Sequence, residues 1–549
     1  MFERHGETLD KALTAIAERG YWSAYPESPS PRVYGEGAAE RGKRTFDELL
    51  GKPFPLAGHH GTGELIGAER SPYGFELGVT YPEPSVPELI AAAGAALPAW
   101  RDAGPRARAL ACAEIVHRIN EHSFELAHAV QHTTGQAFVM AFQAGGPHAQ
   151  DRALEAIAYG YAAMTAAAGS ARWEKPGRGE PLVMDKRFTV VPRGVALVIG
   201  CNTFPTWNAY PGLFASLVTG NPVIVKPHPS AVLPLAITVR IAREVLAEAG
   251  FDPALVQLAA EEGRGLAVEL ATDPAVRVVD FTGSTEFGDW LERHAWQALV
   301  HTEKAGVNTI VIDSTDSFRG MLGNLAFSLS LYSGQMCTAP QNILVPAAGI
   351  DTDEGHRSFE EVAEGLAAAV STLLADDARA VELTGAIVNP DVLARVEGAP
   401  ELGEVVLAPR ALKHPAFPEA VIRTPAIIRV PSSRADVYGR EHFGPISFVI
   451  PTGSTAESLD VLRETTGARG ALTASVYSTS PEVLTRAERA ALEAGVNLSC
   501  NLTGGVFVNQ SAAFSDYHGT GANPAATASL TDPGYVAGRF HLVQSRRPA

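Results

Sequence analysis

Short apolar runs that end on glycine or on Lys-Pro, alternating with helical stretches, constrain this chain more than any other feature. Val195 to Ile199 is closed by Gly200, and Pro222 to Val225 by Lys226-Pro227. Between them, about Pro211 to Thr219 carries helical spacing. Pro234 to Ala249 puts Leu235, Val239, Ala242 and Leu246 on one face and stops at Gly250. Val276 to Phe281 reads as a strand, followed by Thr282-Gly283-Ser284-Thr285 and another helix. Strands alternating with helices predict βαβ units and a parallel sheet, hence an α/β fold. Ligands of such sheets bind beyond the carboxyl ends of the strands, which is where Asn202, Lys226 and Ser284 fall.

A second alternating section runs from Val307 to about Val508, with a strand at Ile310 to Ile312, a helix from Gly320 to Leu331 and a strand at Ile343 to Val345. Residues 1–80 are rich in Pro and Gly and predict an irregular surface arm, with one short helix near Leu9 to Arg19. From Val86 to about Ala168 the pattern is helical, turning Leu110, Ile115, Ile119 and Leu126 inward. From Ser511 the chain is Gly- and Ala-rich, and Tyr535 to Val543 predicts a strand. With 549 residues, two or three domains are expected, joined near His301.

Hydrophobic residues make up 46% and charged residues 19%, a balance that suits a folded globular enzyme. The net charge of -17 argues against nucleic acid as a partner, because most of this surface repels a phosphate backbone. No apolar run approaches the roughly 20 residues of a membrane helix, so no membrane association is expected. Met1 to Gly20 carries Glu3, Glu7, Asp10 and Glu18 and does not read as a signal peptide. Four cysteines without a CxxC pair make no disulfide framework, and the expected compartment is the cytoplasm.

Single motifs say little. There is no GxGxxG after a strand, and Gly283-Ser284-Thr285-Glu286-Phe287-Gly288 is followed by Asp289, which rules out a P-loop. Small residues at that helix start can still hold a phosphate through backbone amides, although taken alone they are more often a plain βα turn. Cys337, in Ser333-Gly334-Gln335-Met336-Cys337-Thr338, suits an exposed thiolate, but a lone cysteine is more often buried and inert. Glu303, in His301-Thr302-Glu303-Lys304, is unremarkable alone. His128 and His132 have i, i+4 spacing but no neighbouring glutamate or third ligand, so no metal site is expected. His59-His60 and Asp516-Tyr517-His518 read as loop residues without a metal pattern. No GxSxG elbow appears.

The combination carries more. Ile199-Gly200-Cys201-Asn202-Thr203-Phe204-Pro205, Val223-Ile224-Val225-Lys226-Pro227, Phe281-Thr282-Gly283-Ser284-Thr285, Thr302-Glu303, Gly334-Gln335-Met336-Cys337 and Glu441-His442-Phe443-Gly444-Pro445 follow one another in order. In that order and approximate spacing, from about Val86 onward, the chain resembles the aldehyde dehydrogenase superfamily. The resemblance implies that Cys337 is the nucleophile that forms a thiohemiacetal and then a thioester. It implies that Asn202 and the Cys337 backbone N–H stabilise the oxyanion, a term worth about 3–4 kcal/mol per donor. Glu303 would activate water against the thioester. Lys226, Pro227, His228 and Glu441 would border the cofactor ribose, Gly283 and Ser284 the pyrophosphate, and Phe443 the nicotinamide ribose. Cys201 would pack beneath the oxyanion site. Trp207 and Phe514 would line the substrate tunnel or serve as packing.

Two departures matter. Superfamily members often carry a glutamate two residues after the proline that follows the lysine, where it would repel a 2′-phosphate; here Lys226-Pro227-His228-Pro229 puts Pro229 there. NADP is therefore expected in preference to NAD. The stretch Glu303-Lys304-Ala305-Gly306-Val307-Asn308 lacks the usual Gly-Gly-Lys-Ser-Pro segment. This loop, the Gly-Gln-Met-Cys-Thr-Ala block and His518-Gly519-Thr520-Gly521-Ala522-Asn523-Pro524 are similar to one branch, the dehydrogenases of phenylacetic acid degradation (the PaaN type and the dehydrogenase half of the PaaZ type). That branch implies a coenzyme A-linked semialdehyde, 3-oxo-5,6-dehydrosuberyl-CoA semialdehyde, as substrate, or a related one of the benzoyl-CoA pathway type. No space remains after the dehydrogenase pattern for a hydratase domain, so a separate enoyl-CoA hydratase is expected to open the ring. Competing readings are a CoA-acylating dehydrogenase, against which Glu303 speaks, and a silent scaffold, against which the joint presence of Cys337, Asn202 and Glu303 speaks.

The architecture the resemblance implies is a doubly wound cofactor domain from 81–170 and 190–300, and an α/β catalytic domain from 301–510. A small β bridge from 171–189 and 511–549 would join copies into a homodimer or tetramer.

Overall fold

Five parallel strands form the first sheet, in the spatial order Val256–Leu258, Val223–Lys226, Val195–Ile199, Val276–Gly283 and Leu299–Lys304. The chain order reverses between Val195–Ile199 and Val276–Gly283, so the sheet is doubly wound about that crevice. Their apolar runs are buried on both faces because helices cover both sides, which removes the alternation of a half-exposed strand. Each fully buried aliphatic side chain there contributes about 1.5–3 kcal/mol. The computed structural model describes residues 2–263, 265–304, 306–508 and 512–549. Ala305, in the loop after Glu303, and Ser511, the expected start of the tail, lie outside them.

The second sheet has seven strands, ordered Glu404–Leu407, Ala426–Arg429, Ile446–Thr452, Asn342–Pro346, Thr309–Ile312, Thr473–Tyr477 and Asn497–Cys500. All are parallel except the edge strand Glu404–Leu407. The architecture is the mixed α/β one expected, with a Rossmann-like sheet beside a second parallel sheet.

Three boundaries fall elsewhere than the sequence suggests. His301 lies inside the strand Leu299–Lys304 and not in a linker, because its backbone pairs with Asp280 in the neighbouring strand. The first 80 residues are not an irregular arm. They form helices at Gly6–Glu18, Pro31–Tyr34 and Ala38–Leu49, and Leu9, Ala12, Phe46 and Leu49 join the core around the first sheet. Pro and Gly punctuate these short helices without preventing them. The tail also divides. Only Phe540–Pro548 joins Leu182–Pro192 and Ser170–Lys175 in a three-stranded antiparallel sheet, while Pro533–Ala537 is helical.

The rest of the tail is bound into the body. Arg539 reaches Asp280 of the first sheet at 2.6 and 2.7 Å, and the Tyr535 hydroxyl donates to the same carboxylate at 2.7 Å. Gly212 permits this, since a Cβ there would sit 2.6 Å from Asp280 Cγ. Farther up the tail, the Lys304 amide donates to the Ala525 carbonyl at 2.6 Å, and Thr527 bonds both the amide and the carbonyl of Thr302. The tail thus runs against the strand that carries Glu303.

Candidate active site

The turn before Cys337 has three consecutive residues in the left-handed region: Tyr332 (φ 52°), Ser333 (φ 50°) and Gly334 (φ 61°). Such a run is costly outside glycine, so surrounding bonds must impose it. The Ser333 hydroxyl reaches the carbonyls of Gly385 and Arg423 at 3.0 and 3.1 Å. Gln335 donates to Ala386 O at 3.0 Å and accepts from the Val388 amide at 3.2 Å. A Cβ on Gly334 would lie 2.6 Å from the Gly444 carbonyl oxygen, which explains glycine at that place. The Asn308 side chain then holds the cysteine itself, donating to Cys337 O at 2.8 Å while its own oxygen accepts from Leu472 and Thr473. The small-residue approach to Cys337 is therefore a backbone requirement.

Cys337 and Glu303, far apart in sequence, meet here with a third residue. Sγ of Cys337, Nε2 of His518 and a Glu303 carboxylate oxygen all lie within 4.8 Å of one another. Nε2 is 3.8 Å from the sulfur and 3.1 Å from Oε1 of Glu303. Asn208 donates to the same Oε1 at 3.2 Å, whereas Oε2 is buried with no protein partner among the described residues. The reading of His518 as a mere loop residue is corrected: it lies buried between the two. Nothing local signalled it, since only the return of the tail along Leu299–Lys304 brings it there. Asn208 had a signal, a lone amide within the apolar, wholly buried helix Pro205–Val218.

Electrostatics separate the two reactive groups. Burial pushes the Cys337 thiol well above its ordinary value, and the Glu303 carboxylate beside it adds to the effect, with smaller contributions from Cys201 and Glu441. Burial acting alone would raise Glu303 as well, but His518, together with the Cys337 thiol and the Asn208 amide, outweighs it and holds the carboxyl below its usual range. Glu303 is thus an ionised base beside a thiol that stays protonated at rest.

Asn202 follows the end of Val195–Ile199 and gives one of its two amide hydrogens to Thr133 O at 3.2 Å. Cys201 packs next to it, its thiol 3.6 Å from the Asn208 oxygen and pushed up to about 12 by burial. Trp207 lines an apolar cavity of about 450 Å³ and meets the His518 ring edge-on at 4.7 Å. Phe514 does not line it: it is fully buried, packed edge-on against Trp22 in the core. Phe204, Phe327, Leu331, Met336 and Phe507 form the cavity's apolar wall, Glu27, Asp151 and Glu382 are its acids, and no Lys or Arg is among its described lining residues.

Of the remaining candidates, Lys226, Pro227, His228, Gly283 and Ser284 gather at the strand ends of the first sheet, whereas Glu441 and Phe443 precede the strand Ile446–Thr452 of the second. Lys226 ends Val223–Lys226 and makes a close ion pair with Glu261, a residue sequence reasoning missed, which follows the neighbouring strand Val256–Leu258. Pro227 starts the turn in which His228 Nδ1 accepts from the Ser230 amide at 3.2 Å. Gly283 ends its strand, and Ser284 caps the ten-residue helix Thr285–His294. Glu441 is half-buried near the Gly306 amide, and burial pushes its carboxyl up to about 8. Phe443, also half-buried, packs against the second sheet, its carbonyl accepting from Arg395. An ammonium and a carboxylate suit ribose hydroxyls, and helix-start amides suit a pyrophosphate, so this donor set fits a dinucleotide. His128 and His132 sit in an aromatic cluster with Phe46, and burial lowers them to about 4 and about 3.

Comparison with known proteins agrees with this geometry. Residues 81–522 match the family model described as "Aldehyde dehydrogenase family". A crystal structure of an NAD-dependent aldehyde dehydrogenase from Burkholderia multivorans superposes with a TM-score of 0.98, at 58% identity over 100% of this chain and 99% of that one. The 1-pyrroline-5-carboxylate dehydrogenase from Thermus with bound NAD shares the fold, with a TM-score of 0.75 and 22% identity over 96% of this chain and 99% of that one. Among curated relatives, N-succinylglutamate 5-semialdehyde dehydrogenase of Paraburkholderia xenovorans (strain LB400) is 29% identical over 280 residues, 50% of this chain and 55% of its own. The match to such relatives thus spans little more than half their length. With the family model covering most of its residues, and a cysteine and a glutamate converging at the mouth of a doubly wound sheet, the chain belongs to the aldehyde dehydrogenase family.

Proposed function

We propose that this chain oxidises an aldehyde to a carboxylic acid with a nicotinamide dinucleotide, through a thioester on Cys337 that water cleaves. The observation that supports it most is the convergence of Cys337 and Glu303 on His518, which lines the apolar cavity together with Met336 and Thr338, with the buried Oε2 of Glu303 free of any protein partner among the described residues and so left to accept a proton from water. Cys337 attacks the aldehyde carbon. Asn202, through its second amide hydrogen, and the Cys337 N–H receive the oxyanion. The dinucleotide, held by Lys226, Ser284, Glu441 and Phe443, supplies the hydride acceptor when bound. Asn208 fixes Oε1 of Glu303, so that Oε2 takes the proton of the water attacking the thioester.

For the cofactor we favour NAD over NADP. Pro229 removes one familiar source of repulsion, but Glu261 supplies another, since its carboxylate meets Lys226 at the strand ends where the adenine ribose would lie. A 2′-phosphate there would face that charge.

For the substrate we favour an aldehyde on a neutral, apolar body. A carboxylate inside the cavity would meet Asp151 and Glu382 and, among the described lining residues, no cation. The chain's resemblance to the phenylacetate-degrading branch supports a narrower version, in which that body is the acyl chain of a CoA-linked semialdehyde and the coenzyme A stays outside. The exposed edges of the three-stranded sheet support self-association, with Leu182, Leu542 and Val543 among the exposed apolar residues.

Absorbance at 340 nm tests the reading, with phenylacetaldehyde, hexanal, succinate semialdehyde and a CoA-linked semialdehyde, each with NAD or NADP and with or without free CoA. Reduction without added CoA, fastest on a neutral body, is expected. Strict dependence on free CoA would replace hydrolysis by acylation, and no reduction with any aldehyde would leave only the fold.

A further inference from the structure

We propose that Cys337, His518 and Glu303 form a binding site for zinc, and that the ion there idles the enzyme by tying up both reactive groups. The idling rests on the dehydrogenase reading; the binding rests only on geometry and ligand chemistry. No short-range metal pattern announces such a site, because His518 stands 181 residues from Cys337 and 215 from Glu303.

The three donors already stand close to tetrahedral spacing. Zinc takes thiolate at about 2.3 Å, imidazole at about 2.0–2.1 Å and carboxylate at about 2.0–2.2 Å. In a tetrahedron those bonds put sulfur about 3.6 Å from nitrogen and nitrogen about 3.4 Å from oxygen. Here Sγ lies 3.8 Å from Nε2, Nε2 lies 3.1 Å from Oε1, and no pair among the three ligand atoms exceeds 4.8 Å. Outer bonds fix the ligands. Asn497 donates to the carbonyls on either side of His518, Trp207 meets its ring edge-on, Asn308 holds Cys337 O, and Asn208 holds Oε1. Oε2 of Glu303, buried with no protein partner among the described residues, can close the fourth position.

Charges and protons balance. Glu303 is ionised, so Nε2 carries a hydrogen and donates it to Oε1, while the Cys337 thiol is protonated. When zinc binds, the S–H bond breaks and its proton leaves to water, as a metal-bound thiol requires. The imidazole hydrogen moves from Nε2 to Nδ1 through solvent. Sulfur and Nε2 then each give an electron pair to the ion. Counted from a neutral imidazole, one proton is released per ion, and the site passes from one negative charge to none.

The cavity of about 450 Å³ that His518 lines gives the ion a way in. Its acids are Glu27, paired with His148 at 2.8 Å, Asp151 and Glu382, and no Lys or Arg is among its described lining residues. Walls of one sign concentrate cations. Thiolate and imidazole then select zinc over magnesium or calcium, which prefer oxygen. Zinc on the sulfur occupies the electron pair that attacks the aldehyde, and zinc on Glu303 occupies the base, so oxidation stops until the ion leaves.

The test begins without aldehyde or dinucleotide, so it can fail separately from the dehydrogenase reading. The full chain with Cys500→Ser, which removes the exposed thiol, is stripped with a chelator, desalted and titrated with cobalt(II). About one ion per chain should bind, with a thiolate-to-cobalt band in the near ultraviolet and the intense visible bands of a tetrahedral site, and zinc should displace it. Cys337→Ser should abolish the thiolate band. His518→Gln should weaken zinc at least about 10-fold, since even outer partners of a ligand cost that much, and Glu303→Gln should weaken it as well. Circular dichroism verifies that each variant folds. A missing thiolate band, or native zinc affinity in either folded variant, overturns the proposal. In the aldehyde assay zinc should stop reduction of the dinucleotide and a chelator should restore it. A zinc-loaded protein that keeps its rate would overturn the idling, as would a chain inactive on every aldehyde, although cobalt bound through Cys337 would still uphold the site.

Discussion

Asn208 donates to Oε1 of Glu303 at 3.2 Å, so one carboxylate oxygen is fixed by the helix Pro205–Val218 and the other has no protein partner among the described residues. A hydrogen bond to a charged group is worth about 1.5–3 kcal/mol, so losing it matters most where the carboxylate must be aimed. Asn208→Ala should lower kcat by about 10- to 100-fold with little change in KM. Steady-state kinetics on the folded variant check this; an unchanged kcat would remove Asn208 from the orientation of Glu303.

Glu303→Gln keeps the shape and removes the base. Acylation should proceed and water attack should stall, giving a burst of reduced cofactor near one per site followed by slow turnover. Stopped-flow absorbance decides it. A steady-state rate equal to the native one would assign deacylation to another group. Cys337→Ala, by contrast, should abolish oxidation while leaving dinucleotide binding intact, as calorimetry would report.

On the proposed function, the ion pair between Lys226 and Glu261 sets the preference for NAD over NADP. Glu261→Gln removes the negative charge without shortening the side chain and should tighten NADP at least about 5-fold relative to NAD, about 1 kcal/mol. Calorimetric titration of both dinucleotides against the native and variant proteins measures it. An unchanged ratio of dissociation constants would mean that the 2′-phosphate does not meet Glu261.

Stability in acid should depend on Asp280. Burial would raise its carboxyl, but Arg539, with His301 and Tyr535, holds it below the ordinary value in the folded protein. A carboxyl lowered on folding contributes stability that is complete above its unfolded value, near 4. That contribution is lost as pH falls toward the folded value. Arg539→Met leaves a buried charge unpaired and should cost about 3–5 kcal/mol at neutral pH. Denaturant melts at pH 7, pH 5 and pH 2.5 check both statements; from this group the native protein should lose little between pH 7 and pH 5 and most of it below pH 4, and the variant should lose less there.

Much of the cofactor half was legible from local pattern. The apolar runs at Val195, Val223 and Val276 lie in strands of one parallel sheet, because a strand covered on both faces has to be apolar throughout and ends where the polar turn begins. The helix Leu233–Glu248 was equally plain from its spacing and from Gly250. The N-terminal segment was not. Prolines and glycines mark where a helix stops, but they do not reveal that Leu9 and Phe46 find a core waiting for them.

The sequence by itself determined the order of the candidate site residues: Asn202, Lys226, Ser284, Glu303, Cys337 and Glu441 stand in six blocks along the chain. Only the tertiary structure decided their company. His518 reaches Cys337 because the tail runs back along the strand of Glu303, and Glu261 reaches Lys226 because two strands distant in the chain end side by side. Neither meeting has a local pattern, since long-range packing sets distances that sequence spacing does not encode.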